Sequence, residues 1–286
     1  MHIIEEIQDT IKNIYKTENI TVLSGMDMEF KLPNGKQVLV WNSEVISNVY
    51  KYQRNKGIDL NSTNFQFQKN LDNLLFNSDE IAYFTANAFL YKDLISNPID
   101  DAQTYYDDAR REWITYYPNF VNLASKRYSM FIAVAFEKIY NYWDRLGDLL
   151  WATYFQNDLK EVAVDFNRII DCIKNKYSEY HHLLSYQWLL NFKENQYKAL
   201  NEIRKNIVHY TSIDIEFKWA HLGQFENNEG ESQNILSDKS EIEKVMTERK
   251  GYSNILKEHI SLSIEGFIQI HQLIEDITVI KLAEAI

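Results

Sequence analysis

Phe136-Glu137-Lys138-Ile139-Tyr140-Asn141-Tyr142-Trp143-Asp144-Arg145-Leu146-Gly147-Asp148-Leu149-Leu150 is the stretch on which the fold turns. Starting one turn upstream, Ile132, Phe136, Ile139, Trp143, Leu146 and Leu150 recur at alternating spacings of four and three. That rhythm lines one side of a 3.6-residue helix with apolar groups, so it predicts a long helix with a buried seam. By the same spacing rule Glu137, Asn141, Asp144 and Asp148 share a polar face. Such a stripe is more often a solvated face than a site.

The helical period continues on both sides. Leu159, Val162, Phe166, Ile169 and Ile173 predict the next helix, and a further one runs from near Tyr180 through Leu200, Ile203, Ile207 and Tyr210. Leu256, Ile260, Ser263, Phe267, Ile270, Ile274 and Ile277 form the stripe of a long last helix. Upstream, Asn77-Ser78-Asp79-Glu80 reads as a helix start with Pro98 as its stop, and a second segment from about Asp101 to Tyr117 ends at Pro118. The polar run from Gly223 to Ser240 reads as a surface loop, and the alternation in Asp214-Ile215-Glu216-Phe217-Lys218-Trp219 predicts a short strand.

The first 60 or so residues differ. Ile3, Ile7, Ile11 and Ile14 predict a short helix. Phe30 and Leu32, then Val38 and Val40, alternate around Asn34-Gly35, a favoured hairpin turn. The expected fold class is mainly α, a helical bundle with a small N-terminal β-hairpin elaboration. Residues 1–76 would form that elaboration and residues 77–286 the bundle.

Composition narrows the function. At 286 residues and 45% hydrophobic, the chain has enough apolar surface to offset the entropy of ordering. Only 3 prolines and 8 glycines argue against a sandwich of many short strands. Cys172 is the single cysteine, which excludes an internal disulfide and a Cys-rich zinc site. A net charge of −11 opposes non-specific coating of nucleic acid, so any such binding needs a local basic site. Glu5 and Glu6 stand where a secretion signal would carry bases, and the longest apolar run, Met130 to Phe136, is far short of a bilayer span. A soluble, cytoplasmic protein with no membrane association is the expectation.

The stretch Leu200-Asn201-Glu202-Ile203-Arg204-Lys205-Asn206-Ile207-Val208-His209-Tyr210 places an arginine and a histidine five positions apart at the close of an amphipathic helix. It resembles the Arg-x4–6-His signature of the HEPN superfamily, helical-bundle proteins that include many metal-independent endoribonucleases. The helix from Phe136 to Leu150 is similar to the HEPN helix whose acidic residue lies against the motif arginine. The resemblance runs from Arg127 to Tyr210. In one respect the chain departs from it: nucleases of that group usually carry a small polar residue directly after the arginine, and here Lys205 stands there with Asn206 one place later.

The resemblance implies an endoribonuclease that cleaves RNA by 2′-hydroxyl attack without a cofactor. It also implies a homodimer paired through the motif helices and a setting in toxin–antitoxin or phage-defence systems, with an antitoxin as a partner. His209 would be the general acid or base, because imidazole titrates near neutrality. Arg204 would clamp the phosphate through its permanently charged planar fork. Asp144 is the residue chosen to orient Arg204, with Lys205 and Asn206 as auxiliary substrate contacts. A catalytically silent HEPN module that binds a nucleotide or a protein is the alternative. On an ideal helix five residues separate two side chains by roughly 140°, so a shared site needs the helix to bend or end between them, or a second subunit to complete it. Read without the resemblance, Arg204 and His209 are a surface arginine and a histidine favoured by the helix dipole. No metal site is expected: His181 and His182 are adjacent and point about 100° apart, and His271 with Glu275 reads as a surface pair.

Overall fold

The computed structural model describes residues 2–20, 29–31, 37–39, 43–55, 57, 66–95, 103–116, 123–160, 164–207, 224–226, 232–234 and 239–284. In chain order the elements are α1 (His2–Thr17), β1 (Glu29–Lys31), β2 (Gln37–Leu39), α2 (Ser43–Asn55) and α3 (Gln66–Lys92). Next come β3 (Gln103–Asp107), β4 (Glu112–Tyr116), α4 (Leu123–Leu150), α5 (Phe166–Lys176), α6 (Leu184–Phe192) and α7 (Lys198–Lys205). The chain closes with β5 (Gln224–Glu226), β6 (Ser232–Asn234) and the 45-residue α8 (Lys239–Ala283). Two π-helical turns, Trp151–Phe155 and Lys193–Tyr197, follow α4 and α6. The protein is mainly helical, and its strands form three separate antiparallel pairs among the described residues.

The expected N-terminal hairpin is present as β1 and β2, with Phe30 opposite Val38. Three expectations are corrected. Helix α3 starts at Gln66, so Asn77–Glu80 lies in its interior. The cause is a seam that continues through those polar residues: Phe67, Leu71, Leu74 and Ile81 are buried at helical spacing, with Ser78 buried among them. The segment 101–117 is β3 and β4 rather than a helix, with Tyr105 opposite Ile114 and Tyr106 opposite Trp113. Aromatic and β-branched residues favour the pleated form. Asp107 closes the turn by accepting the Ala109 and Arg110 backbone N–H groups at 2.9 and 3.2 Å, and Arg111 takes a left-handed φ of 58°. The Gly223–Ser240 loop contains the short pair β5 and β6. The strand expected at Asp214–Trp219 lies outside the described residues, as does Pro98.

The residues divide into two compact units. The first comprises Met1–Ile20, Tyr83–Glu137 and Ile203–Glu258. Its buried groups include Tyr128, Ile132, Phe136 and Leu256. Phe136 meets Tyr252 edge-on at 6.1 Å, and the Tyr128 hydroxyl donates to the Arg249 carbonyl at 2.7 Å. The tip of the β3–β4 hairpin leaves Tyr105, Tyr106 and Trp113 exposed, Trp113 by 70%.

The second unit comprises Thr21–Ala82, Lys138–Glu202 and His259–Ile286. Trp143 is its centre: fully buried, stacked on Phe192 at 3.9 Å and tilted against Phe166 at 5.1 Å. Gly266 of α8 lies under that indole, and a Cβ there would collide with the ring. At Gly147 of α4 a Cβ would stand 2.9 Å from the Phe166 backbone nitrogen, so the missing side chain lets the start of α5 approach α4. The seam read from the sequence is the buried face of α4: Ile132, Phe136, Ile139, Trp143, Leu146 and Leu150 are all fully buried.

Candidate active site

Arg204 sits in the last turn of α7, in the first unit. Its Nε donates to Glu137 Oε2 at 2.9 Å and its Nη2 to Glu137 Oε1 at 3.4 Å. Two roughly parallel bonds of this kind fix the plane of the guanidinium as well as its position. The two side chains keep 21% and 35% of their surface in solvent. An ion pair so exposed adds at most about 1 kcal/mol to folding. Its main effect is geometric: it orients a permanent cation.

The sequence put Asp144 behind Arg204; in the structure the carboxylate on Arg204 is Glu137, seven residues earlier in α4. Asp144 belongs to the second unit and has another task. Its Oδ1 accepts the Phe166 N–H and the Tyr197 hydroxyl, each at 3.4 Å. Phe166 is the first residue of α5, and Asp165 caps the same helix by accepting the Arg168 N–H at 2.8 Å. Two carboxylates therefore serve the unsatisfied N–H groups of one helix start, where negative charge is favoured. Burial pushes the Asp144 carboxyl up to about 6. The bond from Phe166 and that from Tyr197 oppose this, while the negative charges of Asp165 and Asp148 add to it.

Lys205 is half-buried and Asn206 exposed, and the chain leaves α7 in π geometry at Asn206 and Ile207. His209 lies outside the described residues. Glu137 was missed because it shares the polar face of α4 with Asp144, two turns away, and spacing alone does not say where α7 crosses. Its one sequence signal is membership of that face.

Among the described residues no group of three or more His, Cys, Asp or Glu side chains is placed to hold a metal ion. His181 stacks on Tyr186 at 5.3 Å, and its Nε2 faces the Ile173 carbonyl at 3.3 Å. None of the described helices is long and apolar enough to cross a membrane.

A mainly helical chain, with an arginine at the close of one helix gripped by an acid from a longer upstream helix, has the architecture of a HEPN domain. The model of the Cthe2314-like HEPN family matches residues 66–275, more than half of the chain, and the protein belongs to that family. The match opens at the first residue of α3 and closes within α8. No curated protein and no solved structure matches the chain.

Proposed function

We propose that the protein is a metal-independent endoribonuclease of HEPN type. In this reading Arg204 binds the scissile phosphate and stabilises the charge that grows on it, and His209 moves the proton of the attacking 2′-hydroxyl or of the leaving 5′-oxygen. Glu137 replaces Asp144 as the group that positions Arg204. Lys205 and Asn206 add contacts to the RNA backbone, and a homodimer paired through α7 doubles the local positive charge that a −11 chain otherwise lacks. Action against self or phage RNA, restrained by an antitoxin partner, is the biological setting that fits.

The observation that carries this reading is the two-point grip of Glu137 on Arg204 in a HEPN family member. The chain also leaves α geometry at Asn206 and Ile207, and a regular α-helix would hold residues five apart roughly 140° from each other.

The chemistry is direct. The 2′-oxygen attacks phosphorus, the P–O5′ bond breaks, and the products are a 2′,3′-cyclic phosphate and a free 5′-hydroxyl. The proton removed from the 2′-hydroxyl equals the one delivered to the leaving oxygen, so no oxidant or metal enters the balance. Cleavage of a structured RNA in the presence of EDTA tests the proposal. Wild type should cut, and His209→Ala should lose about 10²–10⁴-fold in rate. A substrate with hydrogen in place of the attacking 2′-hydroxyl should be inert. If clean wild-type protein cuts no RNA, the domain is instead a nucleotide- or protein-binding module, the reading that Lys205 in the position after Arg204 favours.

A further inference from the structure

The second unit holds an opening of about 520 Å³ between the first half of α3 and the second half of α4. Its size is that of a small-ligand site. Three primary amides line it: Asn70 and Asn73 from α3, one turn apart, and Asn141 from α4. Asp144 and Trp151 complete the lining that matters here.

Three of these groups are held in place by hydrogen bonds to other parts of the unit. The indole Nε1 of Trp151 donates to the Leu159 carbonyl at 3.0 Å, which fixes the ring at the first position of the π-helical turn that ends α4. Asn70 is 6% exposed and donates to the Asp148 carbonyl at 3.3 Å, leaving its Oδ1 with no partner among the described residues. Asp144 spends only Oδ1 on Phe166 and Tyr197. Fixed donors and acceptors lower the ordering cost of binding.

The chemistry of the lining selects the ligand. Lys69 and Arg145 are offset by Asp144 and Asp148, and Arg145 is already tied to Asp148 at 2.8 Å. With those charges cancelling, a phosphate or another strong anion gains little. Apart from Trp151, only Val164 offers an apolar side chain, so a flat, largely apolar ligand would strip water from the amides without replacing it. Amides donate and accept at once, and a carboxylate only accepts. A pair of neighbouring hydroxyls matches both: one donates to the carboxylate while its neighbour accepts from an amide and donates to the next. We infer that this opening binds a neutral sugar through a vicinal diol, with Asn70, Asn73, Asn141 and Asp144 as hydrogen-bonding partners and Trp151 against the C–H face. The inference is independent of the nuclease proposal and survives its failure.

The diol has two sources, a free saccharide or the ribose of a nucleoside. Saturation-transfer NMR on the full chain, titrated separately with D-ribose, D-glucose, adenosine and 2′-deoxyadenosine, reads both. Saturable binding of a free sugar alone identifies the first source. Binding of adenosine about tenfold tighter than 2′-deoxyadenosine identifies the second, since one buried hydrogen-bonding hydroxyl distinguishes them. Asn73→Ala and Asn141→Ala change half-exposed side chains, and each should weaken binding about fivefold to tenfold with an unchanged melting temperature. The inference is overturned if no diol shows saturable binding up to about 10 mM, less than about 3 kcal/mol of binding free energy. Equal affinity for the two nucleosides with no free sugar bound overturns it as well, and so does undiminished binding by both folded variants.

Discussion

Glu137 and Asp144 lie two turns apart on the same polar face of α4, yet their surroundings make them different groups. Glu137 faces a guanidinium, that of Arg204 in the last turn of α7, and keeps about a third of its side chain in water. Asp144 is turned to a helix start, has no cation among its described partners and is pushed up to about 6 by burial. One position on the repeat, two environments: the partner helix decides the role. What this teaches is that a carboxylate is read by what crosses it. Spacing along its own helix specifies only which face it occupies.

The comparison is broken most severely at the cation. Arg204→Ala should reduce RNA cleavage by about 10²–10³-fold, the cost of removing one positioned charge from the developing phosphorane. Its melting temperature should stay within a few degrees of wild type, because the ion pair it dissolves is part-exposed. A large loss of stability instead would make Arg204 a structural residue and leave Glu137 without a functional role.

Next in size is Gly147→Ala, which attacks the Asp144 side. Alanine is favoured over glycine in a helix by about 1 kcal/mol. Against that, the new methyl meets the backbone of Asp165 and Phe166 at 2.9–3.0 Å, where no side chain can swing aside. Overpacking of this kind costs about 1–3 kcal/mol, so denaturant melts should show a net loss. Since α5 would be displaced from α4, the Asp144 bond to Phe166 should lengthen as well. A gain in stability would show that α5 yields easily and that its start is not fixed by α4.

Asp144→Asn is a subtler probe. A carboxyl raised above its ordinary range binds protons more tightly in the folded state than in the unfolded one. Its ionisation therefore erodes stability as pH rises from about 4 to about 6, and the loss persists above that window. Asparagine keeps an oxygen for Phe166 and Tyr197 and never ionises. The variant should be more stable than wild type at pH 7–8 by about 1–2 kcal/mol, with solvent screening allowed for, and no better at pH 4. His259, pushed down to about 4 by burial, acts with the opposite sign over nearly the same range, so the wild-type profile alone conceals the effect. The difference between the two proteins is the quantity to measure; a constant difference at all pH values would refute the assignment.

Glu137→Gln should have the smallest effect on folding, below about 1 kcal/mol, because the pair is part-exposed. Cleavage should fall more than stability does, by about tenfold, since a neutral amide holds the guanidinium less firmly. If activity is untouched, another group orients Arg204.

Much of the helical frame was legible in the sequence. The α4 seam and the α8 stripe carry their period over many turns, and burial follows it residue by residue. Where the reading failed, a local signal competed with a longer one. Asn77-Ser78-Asp79-Glu80 has the chemistry of a helix cap, but Phe67, Leu71 and Leu74 extend the buried seam past it. Tyr105, Tyr106 and Trp113 were too few to establish an alternation, and the turn that joins their strands depends on Asp107 and on a left-handed Arg111. For the candidate site, the sequence drew attention to Arg204. The identity of its carboxylate was hidden because contacts between helices distant in sequence leave no mark in either helix alone. The polar opening beside Asp144 was hidden for the same reason, its asparagines coming from α3 and α4.

The hairpin of β3 and β4 has a practical consequence. Trp113 stands in water while Trp143 is sealed in a ring of aromatic neighbours. Their emission spectra should separate, with acrylamide quenching the first and sparing the second. A docking event at the hairpin would shift only the red, quenchable component, and unfolding of the second unit would expose the blue one. With the other four of the six tryptophans replaced by phenylalanine, Trp113 and Trp143 would serve as two intrinsic optical reporters, one in each unit.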